Sequence, residues 1–180
     1  AAEARGAGEA AIRAALARAV ELALGAGDDV LAVEAYARLV YAVARTRGDV
    51  VDDWATMAAI ASRTGAPGRL GRALLYNNKA VARAAAGDRA GARAWIDRAR
   101  LAATGSPLTA DELELVVVLQ NLALYTEDPR EREARAREAL DRLVDVLGPH
   151  HPRALGARVV LATVTRDPRR AAAELATACD

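Results

Sequence analysis

The sequence contains no phenylalanine, one cysteine, one methionine and one lysine, and aromatic residues make up 3% of it. Each scarcity excludes something. A single cysteine, Cys179, cannot close an internal disulfide, which predicts a reducing compartment and a cytoplasmic location. It also has no histidine or basic residue near it in sequence to activate a nucleophile. The only histidines, His150 and His151, are adjacent and point in different directions. No cysteine or third histidine completes a zinc shell, so neither metal nor cofactor is expected. Lys79 is the only lysine; the rest of the positive charge is arginine, interspersed with acid to a net charge of +1. The clustered basic stripe of a nucleic-acid reader is missing, and no nucleic-acid partner is expected. The longest apolar stretch, LVVVLQNLALY at 115–125, falls short of the ~20 residues that span a bilayer, so no membrane insertion is expected. No signal peptide opens the chain. The first residue is Ala1 rather than methionine, which predicts a piece of a longer protein or a processed product. The turns GAGDD and TGAPGR lack the spacing of phosphate-cradling loops, and no constellation of acid, base and nucleophile stands out. The chain is therefore not expected to be an enzyme.

What is abundant points one way. Hydrophobic residues make up 53% of 180 residues and are mostly alanine, leucine and valine, while charged residues make up 27%. Such a composition favours helix and lets helices approach closely. Alternating strand patterns and hairpin turns are absent.

The clearest signal is a repeat. LALYTEDPR begins at Leu122, and LATVTRDPR begins 39 residues later, at Leu161. Two further ladders have nearly the same step. Short polar turns place aspartates at Asp49, Asp88, Asp128 and Asp167, with steps of 39, 40 and 39. Glycines closing apolar segments stand at Gly25, Gly65, Gly105 and Gly148, with steps of 40, 40 and 43. Aspartate accepts hydrogen bonds from the free N–H groups at a helix start. Proline suits the first helical position, and glycine can adopt the left-handed conformation that ends a helix. In DPRE, Asp128 caps, Pro129 begins the helix and Glu131 stands at the capping-box position; TADE at 109–112 is a second capping box. DPR is thus expected to mark a tight turn between antiparallel helices. Nine helices are predicted, near 9–24, 29–47, 51–64, 69–86, 89–104, 109–125, 129–147, 151–165 and 168–179. A period of about 40 residues belongs to stacked arrays.

LLYNNKAVARAAAGDRAGARAWIDRA at 74–99 resembles a tetratricopeptide repeat, with small residues at Ala80, Ala92 and Ala99 and the turn at Gly87-Asp88. LGPHHP at 147–152 is similar to the linker of the longer, kinesin-light-chain-like variety. The ensemble over 27–180 resembles the repeat arrays attached to serine/threonine protein kinases of myxobacteria. Departures are Lys79 where the family has leucine, Arg132 where it has alanine, shortened first helices in the third and fourth repeats, and an irregular VVDDWATM stretch.

The resemblance implies an all-α, right-handed α-solenoid forming one domain over 1–180. Its repeats would lie at 29–65, 69–105, 109–148 and 151–180, with 9–24 the second helix of a preceding partial repeat. It implies a non-catalytic scaffold that binds a protein or peptide partner in a concave groove and belongs to a larger bacterial signalling protein. The alternative is an intramolecular regulatory or self-association region that packs on the kinase domain of the same chain. The groove candidates are Asn78 and Asn121, with Asn77 and Gln120 beside them, since an amide both donates to and accepts from an extended backbone. Glu114, Val118, Asn121 and Tyr125 fall on one helical stripe, and Tyr36 and Tyr76 add aromatic surface. The competing reading is that the asparagines bond neighbouring helices and the tyrosines pack between them. Trp54 and Trp95 are expected to fill gaps between layers.

Overall fold

The computed structural model describes residues 2–47, 54–103 and 115–179. Among these residues the chain is almost wholly helical, with nine helices and no strand. It divides into two compact units, Ala1–Ala103 and Thr104–Asp180.

The first unit holds α1 (Ala2–Gly25), α2 (Asp29–Arg47), α3 (Trp54–Arg63), α4 (Arg69–Ala85) and α5 (Arg89–Ala103). The first helix starts earlier than expected because EARGAGEAAIRA is rich in good helix formers. The tight packing partners of α2 are α1 and α4, and α4 also packs on α5. Contact of α3 with α2 and α4 is slight. The core joins Ala32, Val33, Tyr36 and Val40 of α2 to Met57 and Ile60 of α3 and to Leu74 and Leu75 of α4. Gly71 lets α4 approach α2: a Cβ there would lie 3.1 Å from both Val33 Cγ1 and Glu34 Cγ, and 3.3 Å from the Glu34 backbone nitrogen.

The second unit holds α6 (Leu115–Tyr125), α7 (Pro129–Leu147), α8 (Pro152–Val164) and α9 (Pro168–Cys179), each packed on the next. Leu119, Leu140, Leu143 and Leu161 form its centre, with alanines of α7 and α8 between them. Burying one such leucine contributes roughly 2 kcal/mol. Glu174 ties α9 down: it accepts hydrogen bonds from Arg158 at 2.9 Å and from Arg137 at 3.3 Å, and is itself largely buried.

The three-residue turns explain the repeated phrase. Asp28, Asp88, Asp128 and Asp167 each end one. Their carboxylates accept backbone N–H groups of the next helix, from Leu31 at 2.9 Å, Gly91 at 2.8 Å, Glu131 at 2.8 Å and Arg169 at 2.9 Å. These are side-chain caps of helix starts. Asp28 was outside the ladder expected from the sequence, and Asp49 lies outside the described residues. The glycine ladder needs one correction: Gly25 is the last residue of α1, and the left-handed residue is Gly27, at φ 72°. Gly65 and Gly148 do adopt positive φ, and Gly105 lies outside the described residues. Arg132, where alanine was expected, folds back over its turn and donates to the Thr126 and Glu127 carbonyls at 2.8 and 3.3 Å.

Candidate functional site

A cavity of about 290 Å³ lies in the second unit, where α6 and α8 flank α7. Its wall is Val116, Val117 and Gln120 from α6, Leu143 from α7, and Arg153, Gly156 and Val160 from α8. The three helices hold it in a simple way. Val116, Leu119 and Ala123 turn into the core, which leaves Val117 and Gln120 on the outward flank of α6. Pro152 at the first position of α8 and His151 as its cap set the angle at which Arg153 leaves the turn. The His151 Nδ1 accepts the Arg153 N–H at 3.1 Å. His151 thus serves the helix start.

The cavity is apolar with two polar heads. Among the described residues, neither the Gln120 amide nor the Arg153 guanidinium makes a hydrogen bond or ion pair. Gly156 is exposed, and a Cβ added there would meet nothing within 4 Å. Apolar walls with a few converging polar groups are the usual form of a binding site, and about 290 Å³ is the small end of that range. Among the described residues no three histidine, cysteine, aspartate or glutamate side chains come together to hold a metal, and no helix is long and apolar enough to cross a membrane.

The residues singled out from the sequence fall into three groups. Gln120 lines the cavity; Asn121 and Tyr125, on the same helix, are half-buried and outside its wall. Val118 is fully buried, and Glu114 lies outside the described residues. In the first unit, Asn77 and Asn78 are 1% and 7% exposed. The Asn78 amide donates to the Ala37 carbonyl of α2 at 2.7 Å, and Asn77 donates to Asn78 Oδ1 at 3.0 Å. This pair bonds α4 to α2, as buried amides commonly do. Tyr36 is 3% exposed and belongs to the core. Tyr76 is half-buried against Trp95, 5.7 Å between ring centres.

Trp95 also meets Trp54 edge-on at 5.2 Å, and Lys79 Nζ stands 4.7 Å above the Trp54 ring. The two tryptophans thus pin the start of α3 against α4 and α5. Lys79 thus sets a cation over the ring face, which attracts it.

Arg153 and Gly156 were missed in the sequence. A glycine inside ALGARVVLA, with no turn to make, was the signal that could have found the second. Arginine is too common here for the first to stand out. No protein-family model, curated protein or solved structure matches the chain.

Proposed function

We propose that this chain is a non-catalytic protein-interaction module. In this reading it is a tetratricopeptide-like α-solenoid of a cytoplasmic bacterial signalling protein, and it receives a segment of a partner protein. The observation that carries the proposal is the α6–α8 cavity, whose apolar walls and unpartnered Gln120 amide suit an extended chain. The three-residue, aspartate-capped turns support a repeating helical hairpin. Asn77, Asn78 and Tyr36 hold helices together in this reading. The partner-facing residues are Gln120 and its neighbours on the outward flank of α6.

The test is affinity capture from lysate of the encoding organism with mass spectrometry, followed by titration with the purified partner. Wild type is compared with Val117→Glu, which places a charge in the cavity wall at a partly exposed position. A partner bound by wild type and lost in the folded variant supports the proposal. Equal capture by both removes the cavity from it.

A second reading, self-association or docking on a kinase domain of the same chain, is favoured by a different surface. Ile12 and Leu22 on α1 are 57% and 56% exposed. Light scattering on wild type and on Ile12→Glu/Leu22→Glu separates the two: a mass that falls in the variant supports the second reading.

A further inference from the structure

Helix α8 contains a glycine for which neither backbone nor packing gives a reason. Gly156 lies within Pro152–Val164, makes no turn, and a Cβ there would meet nothing within 4 Å. Gly71 shows the contrast, since there the neighbouring helix occupies the space a Cβ would need. A glycine inside a helix weakens it, and at Gly156 the weakening is compensated by no contact. What the missing side chain leaves is room in the cavity wall, between Arg153 and Val160.

The walls specify what fits. Val116, Val117, Leu143 and Val160 are all aliphatic, so the cavity offers shape and burial without a ring to stack on. At about 290 Å³ it holds a side chain or two, since larger ligands need more of the range over which binding pockets extend. The charge at the cavity comes from one side chain, Arg153. On α7 and α8, Arg135, Arg137, Arg142 and Arg158 each hold a glutamate within 4 Å, at 3.1, 3.3, 2.9 and 2.9 Å, while Arg130 and Arg132, away from the cavity, hold none among the described residues. Arg153, at the cavity, holds none among the described residues. A guanidinium is a planar fork that matches a carboxylate.

Resting on the interaction-module reading, we propose that the α6–α8 cavity selects partner segments in which an aliphatic side chain stands beside an aspartate or glutamate. The aliphatic group enters the space left by Gly156. The acid meets Arg153, and the Gln120 amide bonds the backbone between them. Gly156 is then the residue that sets specificity for side-chain size, and Arg153 the one that sets specificity for charge.

The test pans a random phage-displayed peptide library on the full chain and on Gly156→Leu and Arg153→Gln. Circular dichroism first establishes wild-type helicity for each. Both positions are exposed, so the variants are expected to fold. Wild type should enrich peptides pairing an aliphatic residue with an acid. Gly156→Leu should weaken a selected peptide by about tenfold or more by filling the cavity, and Arg153→Gln should remove the acidic preference while keeping the aliphatic one. If wild type enriches other chemistry, indifferent to both variants, the inference falls while the interaction-module reading stands. If nothing is enriched, both fall. If wild type self-associates and Gly156→Leu abolishes it, a second copy is the occupant, and the inference is overturned.

Discussion

The hydroxyl of Thr126 donates to the carbonyl of Leu122, four residues back, at 2.7 Å. Thr165 repeats the bond to Leu161 at 2.8 Å. In both places the backbone N–H of the threonine reaches the same carbonyl, at 3.0 and 2.9 Å. The leucine and the alanine after it are buried in both helices. The phrase L-A-x-x-T-x-D-P-R is therefore a complete device: two core residues, two hydrogen bonds to the last turn of one helix, and a capped, proline-led start of the next. Thr126→Val keeps the shape and removes the hydroxyl. It should cost about 1 kcal/mol, the net worth of a hydrogen bond, read from urea unfolding. Thr126→Ser, which keeps the hydroxyl, should lose less of that bond.

Asp128 should make the second unit acid-sensitive. Its carboxyl is held below its ordinary value, first by the Glu131 N–H and then by the Arg130 N–H, with the Arg130 and Arg166 charges helping. A depressed folded-state pKa means that the stabilisation is present above the unfolded value of 3.8 and is lost as pH falls through the folded one. Asp128→Asn keeps a capping oxygen without a titrating proton. Protection of the first-turn amides of α7 against exchange, taken relative to the intrinsic rate at each pH, should fall in wild type below about pH 4 and change less in Asp128→Asn. Identical acid profiles would remove Asp128 as the cause.

Two glycines should respond oppositely to alanine. Gly71→Ala forces a methyl against Val33 and against the backbone of Glu34, which cannot yield, so overpacking should outweigh the gain in helix propensity and cost about 1 kcal/mol or more. Gly156→Ala meets nothing within 4 Å, and should stabilise by roughly 0.5–1 kcal/mol. Thermal unfolding of the two variants measures both signs.

Asn78→Ala should destabilise by about 2 kcal/mol, since it removes a buried amide that bonds the Ala37 carbonyl and leaves a void. Asn121→Ala, at a half-buried position, should cost less. Denaturant midpoints of the two variants give the comparison. Equal losses would contradict the assignment of Asn78 to the α2–α4 interface.

Much of the fold was legible because its signals are local. A helix start is announced by an aspartate whose partners are two or three residues ahead, and its end by a glycine or threonine bonding four residues back. Asp128-Pro129 and Gly148 therefore mark α7 before any tertiary contact is considered. Where the reading drifted, a local rule had two solutions. Gly25 and Gly27 both suit the end of α1, and the left-handed turn was taken by the one directly before the capping aspartate.

The candidate site was less legible, because burial is not a local property. The composition and the spacing of capping residues determined that the chain is all-helical and where its turns fall. Only the tertiary structure decided which polar residues of those helices face a neighbour. Asn78 and Tyr36 went inward because α4 approaches α2 closely over Gly71. Gln120 was left lining a cavity between α6 and α8, beside Leu143. Helix spacing is set by side chains distant in sequence, and that spacing determines whether an amide bonds a neighbouring helix or remains available to a ligand.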